Sequence, residues 1–569
     1  MRSLKHLLIA AVVVALGGSA DAELQNVCVG GSLRIRGNYF SAPGNFDGTF
    51  RNRNQAVQPW WFNNNAIAGG GVNAAGTLGP LAPANPLNAF RSPGIPFFGL
   101  GLPFRPLGNR SNFVLGGTNF TEDGESLSFV EQRTTLSVLA DFTNDVSVFI
   151  ELDSYDIWGE DFRSNYITGG DFTTATTEDV EVYQAYVEAN EMFGYPLRLR
   201  VGRQEMSLGS EWLIGVNNGS SFYFGLSFDA VRLTYATDMF SVDAFATKAV
   251  DTSPVEEDGD VDLYGIYGSY LGIEDITIDA YWLYLRDARA RKDTQFGLVG
   301  EAIEDLFDVD DYGATNLHTI GLRGAGVYGA FDFESEIAYQ FGDADAYGFQ
   351  FTRGIYGDDE AEFDNFGGNL EVGYTFDMTY TPRVYLGVAY FEGEDNRDIT
   401  FGEWLWAQFN PFFEGEASVS FNRLFSNWEY TEFFANTDLS NSWIFRGGIS
   451  ANPTEQVSVL LAASHFIADE PFADTPDVQL FGNRVTWFSP LSWIDEEHDD
   501  TLGTEVGLYV TYEYSEDLTF EVGWAHLFVG EGLEEGSYQG LNGTFFLGGR
   551  DSFDSEDADY VYIETSISF

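Results

Sequence analysis

Arginines recur at alternate positions in several short stretches of the chain. Arg34 and Arg36 form one such pair, and Arg198 and Arg200 form another. Alternate residues of a β-strand face the same side of the sheet, so each pair would present two guanidinium groups to one surface. Rows of arginine facing acidic side chains inside a pore orient charged or dipolar solutes and set selectivity. These residues therefore predict a pore rather than a catalytic centre.

The same alternation places other charges on the polar side of predicted strands. The full set of candidate pore-lining residues is Arg34, Arg36, Arg133, Arg198, Arg200, Arg232, Arg323, Arg446, Glu131, Asp229 and Glu336. Two interpretations stay open for them. Convergence of the arginines at a constriction would favour anions, whereas neutralisation by the acids would let the acidic excess favour cations. Arg203 falls on the apolar side of its strand, which indicates either a bulge or the start of a loop.

Eighteen segments alternate between apolar and polar residues, from residues 29–40 to residues 557–569. The last of them ends on Phe569 and resembles the closing strand of bacterial outer-membrane β-barrels, which the barrel assembly machinery recognises. The pattern predicts an all-β fold, a closed antiparallel transmembrane barrel of 18 strands, with 16 and 20 as alternative counts. Residues 29–40 should pair with residues 557–569, because a closed barrel leaves no free edge.

Connections between these segments alternate in length, with tight turns after the even-numbered strands. Short periplasmic turns and long extracellular loops are typical of outer-membrane barrels, and an even strand count places both termini in the periplasm. The longest loop, residues 41–127, and the loop at 396–440 are rich in aromatic residues. Long ordered loops usually serve a function. We therefore expect one of the two to fold inward and narrow the mouth.

The N-terminus and the overall charge indicate an exported protein. Residues 1–22 have the basic, apolar and small-residue parts of a secretory signal, so residues 23–569 should form a single mature barrel domain. The formal net charge is -60. Such a surface repels nucleic acid. The expected partners are outer-membrane lipid and lipopolysaccharide, the assembly machinery, and anionic carbohydrate or other small hydrophilic solutes.

Sequence motifs give little support to an enzyme. There is no H-E-x-x-H, no G-x-S-x-G and only one cysteine, Cys28. A serine–histidine pair on the lipid face and a purely structural or adhesive barrel are the alternatives to a pore. No cofactor is expected, although alternating carboxylates at 256–262 and 308–311 could hold a structural or adventitious calcium ion.

A family resemblance appears in two neighbouring stretches. Residues 197–209 read L-R-L-R-V-G-R-Q-E-M-S-L-G, and residues 227–233 read S-F-D-A-V-R-L. They resemble the G-R-Q and F-D-G-V-R-L segments of the alginate export family of outer-membrane porins. The resemblance implies an eighteen-stranded barrel with an electropositive, arginine-lined pore for an anionic polysaccharide. This chain differs from the family pattern in its acidity, in Ala230 where glycine is usual, and in its long first loop.

Overall fold

The structure is a computed structural model that describes most of the predicted strands and parts of the loops. The described residues are 23–41, 126–143, 145–158, 180–219, 223, 225–250, 261–287, 315–343, 361–393, 421–433, 440–469, 499–531 and 557–569, with strand pieces of two to four residues in the remaining loops. The loop at 41–127, one of the two loops of which one was predicted to fold inward, lies almost entirely outside them. No helix in the described part is long and apolar enough to cross a membrane.

Eighteen strands form one closed antiparallel sheet, as the alternation predicts. They are β1 Leu24–Phe40, β2 Leu127–Phe142, β3 Val146–Ile157, β4 Glu181–Ala189, β5 Leu197–Gln204, β6 Phe228–Ala236, β7 Phe240–Val250, β8 Val261–Ile273, β9 Ile276–Asp287, β10 Thr315–Tyr328, β11 Phe331–Asp343, β12 Ala361–Thr375, β13 Arg383–Phe391, β14 Ser442–Thr454, β15 Val457–Ala468, β16 Thr501–Glu513, β17 Leu518–Val529 and β18 Ala558–Ser568. Each strand pairs with its neighbours in sequence. The piece Ala417–Ser418 adds to this sheet by parallel pairing with the start of β12.

The first and last strands close the barrel. β1 and β18 pair in antiparallel register from Ser32 opposite Ser568 to Phe40 opposite Tyr560. At the end of this ladder the backbone groups of Gly31 and Phe569 exchange two hydrogen bonds of 3.0 Å. Closure leaves the main sheet without an unpaired edge, which is the condition for strands to lie in hydrocarbon.

The connections sort by length onto the two ends of the barrel. Each even-numbered strand from β2 to β16 is joined to the next by a short turn, such as Gly329 and Ala330 between β10 and β11. Longer connections follow the odd-numbered strands. We call the end with the short turns, where β1 starts and β18 finishes, the turn end, and the opposite end the loop end.

One side of every strand is apolar and faces out of the barrel. Leu386 is 71% exposed, Leu322 is 54% exposed and Ile266 is 49% exposed. Exposed leucine and isoleucine in such numbers are unfavourable in water but suit contact with lipid chains. The strands therefore form a lipid-facing wall around an interior that takes the other half of their side chains.

Aromatic residues ring this outer wall near both ends. At the loop end, the His318 ring centroid lies 4.4 Å from that of Tyr284 and 5.1 Å from that of Phe341. At the turn end, the Phe331 and Tyr374 centroids are 4.7 Å apart. Aromatic girdles at both interfaces are typical of outer-membrane barrels.

Two strands begin or end at residues other than those that the alternation predicts. The pattern predicts that β5 continues to residue 208, but β5 ends at Gln204. Met206 and Leu208 alternate with polar residues but on the opposite parity to Leu199 and Val201, and they are buried inside the barrel, in a segment that has left the wall. β12 begins at Ala361 rather than at residue 369, since its pairing with β11 continues through Gly367 and Gly368, which interrupt the apolar pattern.

Gly202 in β5 occupies a conformation that other residues rarely adopt. Its φ is +130°, and a Cβ there would meet the carbonyl oxygen of Ala185 at 2.2 Å. We expect Gly202→Ala to lower the free energy of unfolding by roughly 1 to 3 kcal/mol, the cost of a strained backbone. Chemical denaturation of the reconstituted protein measures this change. The matched control is Gly324→Ala in β10, where nothing lies within 4 Å, and an equal loss in both variants would contradict the prediction.

Candidate functional site: the barrel lumen

Nine arginines on the described strands face the inside of the barrel. The structure places all eight predicted arginines there, because each lies on the side opposite the exposed leucine, isoleucine and valine residues. The ninth, Arg383, is the first residue of β13 and follows Pro382 directly. Alternation with the exposed residues Val384 and Leu386 places it on the inward side, but it was not among the predicted residues because it stands at the boundary between turn and strand.

Eight of these nine guanidinium groups lie close to a carboxylate. The nitrogen-to-oxygen distances are 2.9 Å for Arg34–Glu564, 2.6 Å for Arg36–Glu564, 2.9 Å for Arg133–Asp153, 2.6 Å for Arg200–Glu188, 2.8 Å for Arg232–Asp243, 2.7 Å for Arg323–Asp279, 2.9 Å for Arg383–Glu371 and 2.7 Å for Arg446–Glu371. Pairing is what a partly dehydrated interior requires, since an isolated charge there loses its solvation. The inward arginines are therefore largely neutralised by the barrel's own acids.

Further inward carboxylates accept hydrogen bonds from neutral donors. Glu151 accepts from the Gln184 amide at 2.6 Å, and Glu521 accepts from the Thr511 hydroxyl at 3.1 Å. Glu505 accepts from the Thr431 hydroxyl. On the described strands, the inward side thus carries more acid than its arginines balance.

The two predicted acids Glu131 and Glu336 also face inward and are buried. Glu131 accepts hydrogen bonds from the Asn38 amide at 2.7 Å and from the Tyr155 hydroxyl at 2.8 Å. Glu336 accepts one from the Tyr281 hydroxyl at 2.8 Å and lies 3.9 Å from Arg323. Both carboxylates join the hydrogen-bond network of the barrel wall.

Asp229, the third predicted acid, does not face the lumen. It lies on the same side of β6 as the exposed residues Val231 and Leu233. Its carboxylate binds the Arg203 guanidinium through two hydrogen bonds of 2.9 and 3.0 Å, also on the outer side. β5 and β6 pair at these two residues without a register shift, so Arg203 faces outward from a regular strand near the loop end. The assignment of Asp229 was wrong because Asp229 stands three residues before Arg232, an odd number, and so shares the outer side with Val231 and Leu233.

Inward charges on β4 to β7 form a cluster that we call the arginine patch, made of Glu188, Arg198, Arg200, Arg232 and Asp243. Arg200 stands directly opposite Arg232 in the strand register. Arg200 forms an ion pair with Glu188 of β4, and Arg232 forms an ion pair with Asp243 of β7. Arg198 donates a hydrogen bond to the Thr234 hydroxyl at 3.3 Å, and no carboxylate of the described residues lies within 4.0 Å of it. The patch holds three arginines and two carboxylates.

A second cluster lies toward the turn end on β11 to β14. We call it the Glu371 patch, made of Asp332, Glu371, Arg383 and Arg446. Arg383 binds Asp332 as well as Glu371, and Glu371 also accepts a hydrogen bond from Arg446. The side chains of Asp332 and Arg383 are 30% and 29% exposed, so this patch faces water inside the barrel.

Two connections fold into the barrel and meet there. We call them the first inner segment, residues 205–227, described except at 220–222 and 224, and the second inner segment, residues 421–433. Backbone hydrogen bonds join Gly215 N–H to the Phe425 carbonyl at 2.9 Å and Phe425 N–H to the Leu213 carbonyl at 2.8 Å. The Asn427 amide donates to the Glu211 carboxylate at 2.6 Å. The two segments therefore form one joined layer.

An apolar core holds this layer together. Trp212 is 1% exposed, and its ring centroid lies 5.9 Å from that of Phe391 on β13 and 5.8 Å from that of Phe421. The Trp212 indole N–H donates to the Tyr430 hydroxyl at 3.1 Å. Packed aromatic rings with a satisfied polar atom make a rigid element rather than a loosely lying loop.

Polar contacts fix the layer to opposite parts of the wall. In the first inner segment, the Arg34 guanidinium donates to the Asn218 carbonyl at 2.8 Å, and the Tyr223 hydroxyl donates to the Glu131 carbonyl at 3.2 Å. In the second, the backbone N–H of Asn422 donates to the Gln340 side chain at 2.7 Å. Segments attached from β1 and β2 to β11 necessarily narrow the lumen between those strands.

Burial changes the titration of two groups in the inner segments. It raises the pKa of the Glu205 carboxyl, even though the Tyr183 hydroxyl donates a hydrogen bond to this group at 2.7 Å. It also raises the pKa of the Tyr430 hydroxyl. Tyr430 is therefore a neutral hydrogen-bonding group at neutral pH.

The inward fold of 421–433 lies within the loop at 396–440, one of the two loops of which we expected one to fold inward, whereas the first inner segment was not expected. Its run Met206, Leu208, Trp212, Leu213 and Ile214 was the available signal, because a loop exposed to water rarely concentrates apolar residues. Met206 and Leu208, the first part of this run, were instead predicted to belong to β5. Inward tyrosines such as Tyr281 were missed because only charged side chains were considered as pore-lining residues, although alternation places Tyr281 opposite in side to the exposed Trp282.

The loops at 256–262 and 308–311, which could hold calcium, fall outside the described residues, apart from Val261 and Asp262. Within the part of the chain that is described, no group of three or more histidine, cysteine, aspartate or glutamate side chains is arranged to hold a metal ion.

Trp212 is the residue whose removal should loosen the inner layer. Trp212→Ala would remove the aromatic packing and the bond to Tyr430, at a cost of about 3 to 5 kcal/mol if the layer does not collapse into the space. We expect single-channel recordings in planar bilayers to show higher conductance or larger current noise. The control is Trp158→Ala, because Trp158 is 58% exposed outside the layer. Identical recordings from both variants would show that the layer does not limit permeation.

Comparison with known proteins identifies the family of this chain. A protein-family model described as alginate export matches residues 113–545. Among solved structures, Pseudomonas aeruginosa OccK8 (OprE) is 11% identical, with 95% of this chain and 98% of that chain covered and a TM-score of 0.43. Acinetobacter baumannii OccAB1 is 9% identical, with 95% and 96% covered and a TM-score of 0.43. No curated protein sequence matches the chain. The family model spans most of the sequence, and the chain belongs to the alginate export family.

Proposed function

We propose that the protein is an outer-membrane porin that passes small hydrophilic solutes by passive diffusion and prefers cations. The observation that carries the preference is the pairing of eight of the nine inward strand arginines with carboxylates, while further inward carboxylates accept hydrogen bonds from neutral donors. A paired arginine contributes little net field at a distance. The remaining acids then set the sign of the potential in the lumen.

The overall charge acts in the same direction. A net charge of -60 concentrates cations near the mouth, although salt screens exposed charges beyond about 8 to 10 Å. Inside the barrel the medium is less polarisable, so an uncompensated carboxylate acts more strongly there. The lumen rather than the outer loops should therefore determine selectivity.

A second candidate is passage of anionic uronate carbohydrate, the function expected from the family resemblance. The arginine patch favours it, since Arg198 adds a positive charge that the two acids of the patch do not balance. Planar guanidinium groups also match carboxylates geometrically. The family description, alginate export, supports this candidate as well.

The proposal includes an orientation and partners. Both termini would lie in the periplasm, since β1 starts and β18 finishes at the turn end. The exposed C-terminal residue Phe569 would be available to the barrel assembly machinery. We propose no enzymatic activity, because the fold and the inward charges are accounted for by a channel.

Removing the carboxylate of one ion pair on β5 tests the cation preference. We expect the wild-type reversal potential in a potassium chloride gradient to have the sign of cation selectivity. Glu188→Gln frees Arg200, so the cation-to-anion permeability ratio should fall about fivefold, because one charge at 4 Å is worth roughly 1 kcal/mol even in water. Asp229→Asn is the matched control, since it frees Arg203 on the outer side. Anion selectivity in the wild type, or an equal shift in both variants, would contradict the proposal.

Uronate oligosaccharides distinguish the two candidates. If cations are preferred, millimolar oligouronate should leave the potassium current unchanged. If the arginine patch conducts uronates, the oligosaccharide should interrupt the current, and Arg198→Gln should weaken this block about tenfold by removing a charge-assisted hydrogen bond. A neutral oligosaccharide of the same length controls for steric block. Block that persists undiminished in Arg198→Gln would assign the uronate path to another part of the lumen.

A further inference from the structure

Charged residues form a continuous row on the outer side of five neighbouring strands. The strand registers place Arg203 of β5 opposite Asp229 of β6, Asp229 opposite Lys248 of β7, Lys248 opposite Asp262 of β8, and Asp262 opposite Arg286 of β9. Residues directly opposite each other in successive strands are lateral neighbours in the sheet. We call these five residues the outer charged row.

The outer charged row lies on the lipid-facing side and not in the lumen. Val231, two residues from Asp229, is 41% exposed, and Ile266, four residues from Asp262, is 49% exposed on the same side. All five residues stand near the loop end of their strands. Charge on this side of a transmembrane barrel is costly unless it reaches the headgroup zone.

The loop-end aromatic ring shows where the membrane–water interface lies relative to the outer charged row. Tyr264 and Tyr284 follow the row by two residues on β8 and precede it by two on β9, and their ring centroids are 5.9 Å apart. Tyr284 continues the ring to His318 at 4.4 Å. Aromatic residues of this kind mark the membrane–water interface. The row therefore stands just beyond the hydrocarbon, at the level of lipid headgroups.

Cations on the outer side are confined to this sector. Among the arginines and lysines of the described strands, Arg203, Lys248 and Arg286 alone face outward. Elsewhere at the loop end the outer side presents acids held by aromatic donors. The Trp443 indole donates to Asp469 at 3.0 Å, and the Trp524 indole donates to Asp559 at 3.0 Å.

The row has more positive than negative charge. Arg203 is occupied by Asp229, and Lys248 lies 3.4 Å from Asp262. Arg286 forms no ion pair within 4.0 Å with any described residue, although it stands opposite Asp262. Arg286 therefore leaves the row with a guanidinium group that no described carboxylate pairs, and this group can accept a further anionic group.

We propose that the outer charged row binds phosphate groups of phosphorylated glycolipids in the outer leaflet. This inference rests on the outer-membrane location in the proposed function, but not on channel selectivity. Phosphate oxygens accept charge-assisted hydrogen bonds from guanidinium and ammonium groups. The neighbouring tyrosines and apolar residues would contact the acyl chains below, and Asp229 and Asp262 would hold the three cations apart and in place.

Binding of lipid A to the full-length protein in detergent micelles tests the proposal. The probes are lipid A with two phosphates and the same lipid without them, titrated against wild type and against Arg203→Gln/Lys248→Gln/Arg286→Gln. We expect the apparent Kd for the phosphorylated lipid to rise about tenfold in the triple variant, because three charge-assisted bonds are lost. The lipid without phosphates should bind weakly and equally to both proteins.

Two controls keep the result interpretable. Arg198→Gln removes a cation inside the barrel and should bind phosphorylated lipid A as the wild type does. Arg286→Gln alone should reduce binding without disturbing folding, since it breaks no described ion pair, and the heat-dependent shift on gel electrophoresis checks that each variant is folded.

Equal binding of phosphorylated lipid A to wild type and triple variant would overturn the proposal. So would binding that a chelator abolishes in both proteins to the same extent, because that result would indicate phosphates bridged by divalent cations to acids such as Asp469. Conductance is measured separately, so loss of this lipid site leaves the porin proposal standing, and absence of a channel leaves the lipid site standing.

Discussion

Closure of the sheet by hydrogen bonds between β1 and β18 is the constraint on which the rest of this structure depends. In hydrocarbon an unpaired backbone N–H or carbonyl group costs several kcal/mol, so the strand ladder has to be continuous around the barrel. Continuity fixes which side of each strand faces lipid. Once Leu33 and Ile35 face outward on β1, Arg34 and Arg36 must face inward, and each neighbouring strand follows through its register. The charged side chains on the inward side of the strands are thereby enclosed in the barrel, where each requires an ion-pair or hydrogen-bond partner.

Pairing inside the barrel then determines how the lumen is filled. Glu564 forms ion pairs with both Arg34 and Arg36. Glu371 forms ion pairs with both Arg383 and Arg446. Removing Glu564 would leave the Arg36 guanidinium, whose side chain is 2% exposed, as a buried charge without its carboxylate, which usually costs about 3 to 5 kcal/mol. The inner segments add to this arrangement, since the Arg446 guanidinium lies 4.8 Å from the Trp428 ring and 5.1 Å from that of Tyr430. The wall and the layer across it therefore stabilise each other.

The strand count, the closure of the barrel and the side of all eight predicted arginines could be predicted from the sequence. A period of two residues indicates directly which side of a strand faces lipid. The prediction failed where a residue's environment depends on distant parts of the chain. Asp229 is a different case, because it stands an odd number of residues from Arg232 and alternation within β6 already puts the two on opposite sides. The first inner segment was missed because Met206 and Leu208 still alternate with polar residues after the chain has left the wall, although on the side of Arg200 and not on that of Val201. The partners Glu188 and Asp243 could not be assigned without the register.

Two arginines three residues apart on β5 show how the wall separates functions. Arg200 and Arg203 each bind a carboxylate of an adjacent strand, Glu188 on β4 and Asp229 on β6, at 2.6 and 2.9 Å. Because three residues is an odd number, the two ion pairs stand on opposite sides of the sheet. The inner pair contributes to the field in the lumen, and the outer pair can act only on the membrane. The same chemistry therefore bears on solute selectivity at one residue and on lipid contact at the other, and the backbone register alone decides which.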